Sequence, residues 1–99
     1  MSGPNYDQYL VETARLDILR ELARQSDRRL SEIMITNALY SLGHNRSREW
    51  LRAQLRWLAD LGAVAIEEDG AVMIVSLRRA GEAHVARRPG CAIEGVALP

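Results

Sequence analysis

Apolar residues recur at every third or fourth position from Leu10 to Leu22, which is the spacing of one face of an α-helix. This spacing predicts a first helix from about Tyr6 to Gln25. Asn5 is a favoured N-cap residue, and Gln8 stands where a capping box places the side chain that bonds back to the cap. The first quarter of the chain is therefore predicted to be one long, capped helix.

A second helix is predicted after a polar connection at residues 26–29. Ser31 is the expected N-cap, and Leu30 is spaced to pack on Ile35 as a hydrophobic staple. Gly43 is expected to end the helix in a left-handed cap. The buried stripe of this helix would then consist of Ile35, Ala38, Leu39 and Leu42.

A short turn separates this helix from a third one, predicted from about Arg48 to Leu61 with Ser47 as its N-cap. The broad apolar face of the third helix carries Trp50, Leu51, Leu55, Trp57, Leu58 and Leu61. Because both tryptophans lie on this face, they are assigned to the core. A stacking platform for single-stranded nucleic acid would need exposed aromatic side chains among positive charges.

The spacing of apolar residues changes after Gly62, from the helical repeat to runs of apolar and β-branched residues. Val64 to Ile66 and Val72 to Leu77 are typical of strands, and Asp69-Gly70 between them predicts a two-residue hairpin turn. A short last helix is predicted from Arg78 to Arg88, closed by Pro89-Gly90. The apolar tail, Cys91–Pro99, is expected either to add a strand or to dock elsewhere.

The order helix, helix, short turn, helix and hairpin is that of a winged helix-turn-helix. The predicted fold is α+β and mostly α, with three helices, a two-stranded wing, a short C-terminal helix and a tail. The 99 residues are predicted to form a single domain, with extended tails expected at residues 1–5 and 90–99.

Composition argues against catalysis and against metal binding. Cys91 is the sole cysteine, which excludes an internal disulfide and a cysteine-rich zinc site. His44 and His84 have no ligands at metal-binding spacing, and neither a phosphate-binding glycine loop nor a nucleophile–base pair is recognisable. We therefore expect a protein that is not an enzyme and has no cofactor and no metal.

The chain shows neither a signal peptide nor a run of apolar residues long enough to cross a bilayer. We therefore expect a cytoplasmic protein of a bacterial host cell, without a membrane partner.

The most distinctive chemical pattern of the sequence is a set of three arginines spaced by four residues: Arg48, Arg52 and Arg56. In a helix-turn-helix the third helix enters the major groove, so Arg48 and Arg52 are predicted to read guanine edges or grip phosphates, and Arg56 to contact the backbone. Phosphate contacts in the turn are predicted for Asn45, Arg46 and Ser47. The alternative is a solvated helix face on which Arg52 or Arg56 pairs with Glu49 or Asp60.

The predicted wing carries an acidic tip formed by Glu67, Glu68 and Asp69. Such a tip would repel phosphates, and it is interpreted as a solubilising hairpin edge. Arg78 and Arg79, which follow the wing, are predicted to restore a positive rim and to contribute to DNA binding. The net charge of zero, from 13 basic and 13 acidic residues, is unusual for a DNA-binding domain.

The chain resembles a family of small proteins encoded in Mu-like phages and prophages. The resemblance is carried by Ala14–Leu16, Ile18–Arg20, Gly43–Arg48, Trp50–Arg52, Gln54–Leu58, Gly62–Val64, Gly81, His84-Val85 and Ile93–Val96. It implies a phage-encoded winged helix that is similar in shape to small repressors of the ArsR and MarR type. The chain departs from those repressors because it has neither a metal-sensing cysteine pair nor long dimerisation helices.

Two functions remain open at this point. The first is a duplex DNA-binding protein acting in transcription control or phage DNA handling, with the third helix as the reading element. The alternative is a protein-interaction or assembly adaptor, with a phage or host protein partner or a homodimer joined through the C-terminal tail. Exposed helix-three arginines would favour DNA, whereas arginines tied down within the chain would favour the adaptor.

Overall fold

The structure, a computed structural model, describes residues 3–99, with side chains from residue 5 onward. It is an α+β fold in which about half of the residues are helical. In chain order the elements are α1 (Gly3–Arg24), β1 (Arg29–Ser31), α2 (Glu32–Ser41), α3 (Arg48–Asp60), β2 (Val64–Asp69), β3 (Val72–Leu77) and α4 (Arg79–Val85). The three strands form one antiparallel sheet in the order β1-β3-β2.

The first helix is longer at its start than the sequence predicts. It begins at Gly3, so Asn5 lies within the helix and does not cap it. The amide of Gln8 donates to Glu12 at 2.8 Å, a bond one helical turn ahead that replaces the predicted capping box. The apolar stripe is confirmed by burial of Ala14, Ile18 and Leu22, and it is widened by Leu16 and Leu19.

The predicted two-stranded hairpin is present as β2 and β3, but the sheet has a third strand, β1, that the sequence analysis does not predict. The segment Arg29–Ser31 overlaps the predicted connection, yet it pairs with β3, and Leu30 lies opposite Val75. A strand of three residues is too short to show the alternation of apolar and polar residues that predicts a strand. Its conformation is decided by pairing with the neighbouring strand β3. The hairpin itself turns at residues 70–71, one position later than predicted, because Asp69 still pairs with Val72.

Both predicted serine caps are confirmed. Ser31 Oγ accepts a hydrogen bond from the Met34 amide at 3.2 Å, and Ser47 Oγ accepts one from the Trp50 amide at 3.0 Å. The third helix begins at Arg48, as predicted, and ends at Asp60. The turn between α2 and α3 is thus fixed at its far end by a side chain of the turn itself.

The end of α2 has the left-handed cap that its glycine predicts. Gly43 has φ +94° and donates to the Tyr40 carbonyl at 3.0 Å, while His44 donates to the Leu39 carbonyl at 2.8 Å. This pair of bonds is a Schellman motif, and the positive φ favours glycine. Leu42, predicted to be buried, lies outside the helix at the C-cap and is more than half exposed.

The last helix is shorter than predicted and does not end at Pro89-Gly90. It stops at Val85, and Arg87 adopts the left-handed cap conformation at φ +59°. Arg87 donates to the His84 carbonyl and Arg88 to the Ala83 carbonyl, each at 3.1 Å. A non-glycine residue closes this helix, which no glycine or proline signal in the sequence indicates.

The C-terminal tail (residues 91–99) forms no strand and docks on its own chain. His84 is buried, accepts a hydrogen bond from the Ile93 amide at 2.9 Å and bonds the Ala97 carbonyl at 2.9 Å. The Ala97 amide donates to the Glu12 carbonyl in α1, and Val96 is buried in the core. The tail is engaged within its own chain and is not extended.

The core lies between α1, α2, α3 and one face of the sheet. Its largest fully buried apolar side chains are Ile18, Leu19, Leu22, Ile35, Leu55, Leu58, Met73 and Val75. Trp50 and Trp57 are half-buried and pack against this cluster, whereas Leu61 is exposed. No helix among the described residues has the length and apolar character needed to cross a membrane.

Replacing Gly81 by alanine is expected to destabilise the protein, although alanine is the better helix former by about 1 kcal/mol. An added Cβ would lie 2.8 Å from Leu77 Cδ1 and closer still to the Ala63 carbonyl oxygen, which accepts from the Arg78 amide. We expect a loss of about 1–3 kcal/mol in the free energy of unfolding, measured by urea denaturation. An unchanged or increased stability would contradict the close packing of α4 on the sheet.

Candidate functional site

Glu32, the first residue of α2, is a buried carboxylate that joins three elements. Its side chain is 2% exposed. Arg52 of α3 donates Nε to Oε1 at 2.8 Å and Nη2 to Oε2 at 2.6 Å. The Met73 amide of β3 donates to Oε2 at 2.7 Å, and Arg48 lies 3.4 Å from both oxygens. We call these four residues the Glu32 network.

The hydrogen bonds of the Glu32 network stabilise the charged carboxylate. The bond from Arg52 is the main cause that lowers the pKa of Glu32 from 4.5 to about 2, against the opposing effect of burial. The Met73 amide and Arg48 lower the pKa of this carboxyl further. The same ion pair raises the pKa of Arg52. The pair is therefore charged on both sides throughout the neutral range.

Both guanidinium groups also reach the tip of the hairpin. Arg52 Nη2 donates to the Ala71 carbonyl at 2.7 Å, and Arg48 Nη2 donates to the same oxygen. The solvated alternative paired Arg52 or Arg56 with Glu49 or Asp60, and it is wrong about the partner of Arg52, which is Glu32. Contact of Arg48 and Arg52 with DNA stays a prediction, and for Arg52 it would require leaving a buried carboxylate.

The turn residues predicted to bind phosphate have different local roles. Ser47 caps α3, as described above, and Asn45 is exposed. The Arg46 guanidinium lies over the Trp50 ring at 4.7 Å from its centroid. His44, one residue earlier, bonds Asp17 of α1 at 2.8 Å, which ties the turn to the first helix. Arg46 and Asn45 remain open to solvent.

The exposed face of α3 carries charges of both signs. Arg56 is exposed and has no carboxylate partner among residues 5–99. Glu49 and Asp60 share the exposed surface of the same helix. The acidic hairpin tip is exposed as predicted, and Glu67 pairs with Arg29 at 3.1 Å. The helix-three arginines therefore do not form one continuous positive ridge.

Arg78 and Arg79 do not rim the acidic tip of the hairpin. Val64 pairs with Leu77 and Asp69 with Val72, so Arg78 lies at the opposite end of the hairpin, about 20 Å from the turn. The prediction of a positive rim beside the wing tip is therefore wrong. The two arginines instead line a groove beside α4 together with Arg88.

An apolar surface on α2 is the functional candidate that the sequence analysis missed. Four side chains of this surface, the apolar α2 face, are more than half exposed: Ile33, Met34, Tyr40 and Leu42. Grooves of about 370 and 250 Å³ lie on either side, and Asn37 lines both. The available signal was the apolar character of the whole helix, whose one charged residue is Glu32. The buried stripe accounts for only part of that character.

Comparison with known proteins identifies a relative in a bacteriophage. The chain is 34% identical over 73 residues to a protein of Escherichia phage Mu described as uncharacterized protein gp26. The match covers 74% of this chain and 75% of the Mu protein. No protein-family model and no solved structure match the chain.

Lowering the pH is expected to weaken the fold through Glu32. The pKa of Glu32 is about 2 in the folded chain against an ordinary 4.5, so the unfolded chain takes up the proton first. The stabilisation is complete above about pH 4.5 and is lost as the pH falls toward 2. Glu32→Gln should abolish this part of the pH dependence and cost about 3 kcal/mol at neutral pH, measured by urea unfolding across a pH series.

Glu49→Gln is the matched control for this measurement, since Glu49 is an exposed carboxylate in the first turn of α3. It should keep both the acid-induced loss and the stability at neutral pH. A Glu32→Gln protein that unfolds with the pH profile of the unmodified chain would show that the Glu32 network does not stabilise the fold.

Proposed function

This chain belongs to the same family as protein gp26 of phage Mu, and from that premise we propose that it is a non-catalytic winged-helix module that assembles with other protein chains. The contact surface is the apolar α2 face. The observation that carries the proposal is the concentration of exposed apolar side chains on this one short helix and its C-cap. The first partner is a second copy of the chain.

The order of the elements supports the winged-helix assignment. A strand before α2, a short turn between α2 and α3, and a hairpin directly after α3 are arranged as in a winged helix-turn-helix. The sheet order β1-β3-β2 places the hairpin beside the strand that precedes α2. In this arrangement α2 and α3 lie together on the sheet, and one face of α2 is turned away from the rest of the domain.

The apolar α2 face has the physical character of a protein contact. Exposed apolar side chains are common singly, but several of them grouped on one surface mark an interaction site. Here Ile33 and Met34 are neighbours, Tyr40 lies two turns further along the helix, and Leu42 stands at the C-cap. Ile33 and Met34 border different grooves, so the helix presents a ridge between two depressions. Ridges that pack into grooves are how one helix seats on another.

The charge of the apolar α2 face favours a second copy as partner. Glu32 is the only charged residue of α2, and it is buried and neutralised by the arginines of α3. The four side chains of the face therefore add no repulsion between like charges when two copies meet, and Arg48 is the half-exposed charge beside Ile33. Closed two-fold dimers in which the same patch contacts itself are the commonest assemblies of identical chains. The expected assembly is a dimer with α2 packed on α2.

Charging the apolar α2 face is expected to dissociate this dimer. In Ile33→Glu/Met34→Glu, carboxylates would have to be buried without partners, which weakens association by roughly a hundredfold or more. Sedimentation equilibrium over a wide concentration range measures the dissociation constant directly. Both positions are already exposed in the monomer, so its fold and circular dichroism should be retained.

Leu98→Glu is the control for this double variant, because Leu98 is also an exposed apolar residue but lies in the C-terminal tail. It should dimerise as the unmodified chain does. An unmodified chain that remains monomeric at all concentrations, or a dimer that is indifferent to charges on α2, would reject the α2 interface.

Duplex DNA binding by α3 is the second candidate function, and one observation favours it. Arg46 and Arg56 are exposed, and neither is ion-paired with a carboxylate in the portion of the chain that the structure describes. Arg48 is half exposed, and its distances to Glu32 are the longest in the network. Arg46, Arg48 and Arg56 can therefore reach phosphates without taking Arg52 away from the buried Glu32.

Removing the two unpaired arginines is expected to weaken any binding to duplex DNA. The double variant Arg46→Ala/Arg56→Ala should flatten the slope of log affinity against log salt by about 0.9 for each phosphate that the protein no longer neutralises. Fluorescence anisotropy of a labelled duplex across a salt series measures this slope. Arg52 is left in place because Glu32 depends on it.

A control for the reduced positive charge is Arg20→Ala/Arg24→Ala, which removes two exposed arginines from α1. If this control and Arg46→Ala/Arg56→Ala show the same slope of log affinity against log salt, α3 is not a DNA-reading helix. The same conclusion follows if the unmodified chain does not bind the duplex at low salt.

A further inference from the structure

A groove of about 520 Å³ lies beside α4, at the end of α3 that is opposite to the Glu32 network. Three arginines line it: Arg78, Arg79 and Arg88. The remaining lining residues are small, and they are Gly62, Ala80, Ala83 and Cys91. We call this depression the α4 groove. Its size is that of sites that bind small molecules, and its charged lining is entirely positive.

The backbone positions of these arginines are set by the fold. Arg78 donates its amide to the Ala63 carbonyl at 2.9 Å and accepts from the Glu82 amide at 2.9 Å. Arg79 is the first residue of α4, and Arg88 donates its amide to the Ala83 carbonyl at 3.1 Å. The three side chains therefore project from fixed points at the two ends of one short helix.

The positive charge of the α4 groove is not neutralised within the chain. None of the three arginines is ion-paired with a carboxylate among residues 5–99. Glu82, the acidic residue of α4, pairs with Arg28 at 3.6 Å and does not line the groove. Arg88 also lines a neighbouring groove of about 320 Å³ together with Arg87, which extends the positive surface.

We propose that the α4 groove binds phosphate groups, held by Arg78, Arg79 and Arg88. Guanidinium groups bind phosphate oxygens through two parallel hydrogen bonds, and the chain has arginines but no lysine. Several guanidiniums in one groove offer more donors than a single carboxylate can accept, which favours phosphate over an acidic side chain. The phosphates belong either to a nucleic-acid backbone or to a free phosphate compound.

This site is independent of the surfaces considered under the proposed function. Gly62 of the groove follows the last turn of α3, whereas Arg48 stands at the first, about 20 Å away along the helix. None of the four residues of the apolar α2 face lines the α4 groove. Variants of one surface can therefore be tested while the other two stay intact.

Cys91 provides a reporter inside the groove. It is the one cysteine of the chain, and it is a half-buried free thiol that lines the groove. The rate at which Cys91 reacts with a neutral alkylating reagent should fall when a ligand occupies the groove. The probes are pyrophosphate, a short DNA duplex and polyglutamate, each added at matched ionic strength set with chloride.

Pyrophosphate or the duplex should protect Cys91 in the unmodified chain. In Arg79→Ala/Arg88→Ala the concentration for half-protection should rise by roughly tenfold or more for each arginine removed, the usual effect of losing one hydrogen bond to a charged group. Arg20→Ala/Arg24→Ala removes the same charge from α1 and should leave protection unchanged. Circular dichroism checks that each variant is folded.

Protection by pyrophosphate alone would assign the site to free phosphate compounds, and protection by the duplex alone would assign it to the nucleic-acid backbone. Either result supports the proposal. Equal protection in the unmodified chain and the Arg79→Ala/Arg88→Ala variant, protection by polyglutamate at least as strong as by the phosphate probes, or no protection by any probe would overturn it.

Discussion

The carboxylate of Glu32 holds the packing of α2, α3 and the hairpin together. A buried charge is costly unless it is paired and fully hydrogen-bonded, and Glu32 is both, through Arg52 and the Met73 amide. Removing the partner of such a charge leaves a buried, unpaired charge, and its desolvation free energy is then no longer offset by hydrogen bonds and charge attraction. The relative positions of the two helices and the hairpin therefore depend on one side chain at the start of α2.

This constraint decides which surfaces of the domain are free to bind. Two of the three arginines that α3 presents in sequence are turned toward Glu32 and the hairpin tip. The exposed remainder of α3 is mixed in charge. The two surfaces proposed to bind are the apolar α2 face, whose own side chains carry no charge, and the α4 groove, whose charged residues are all positive. Helices α2 and α4 both pack on α1, so α1 holds the two surfaces in position relative to each other.

Much of the architecture follows from local signals in the sequence. Ser31 and Ser47 as caps, Gly43 as the end of α2, and the start of α3 at Arg48 are confirmed because each depends on bonds within a few residues. The misplaced elements depend on distant partners. Strand β1 exists because β3 lies beside it, and the tail is held by His84, which is remote from most of it in sequence.

The sequence by itself determined the helices, the hairpin and a stripe of arginines on one side of α3, because these follow from spacing along the chain. Only the tertiary structure decided what the arginines do. Glu32 is separated from Arg52 by the rest of α2 and the turn that follows it. An ion pair between two elements produces no periodic pattern in the sequence. The same holds for the α4 groove, where Arg88 joins Arg78 and Arg79 only because a left-handed cap at Arg87 turns the chain back. Local propensity sets elements, whereas long-range packing and charge pairing assign each exposed or buried side chain its partner.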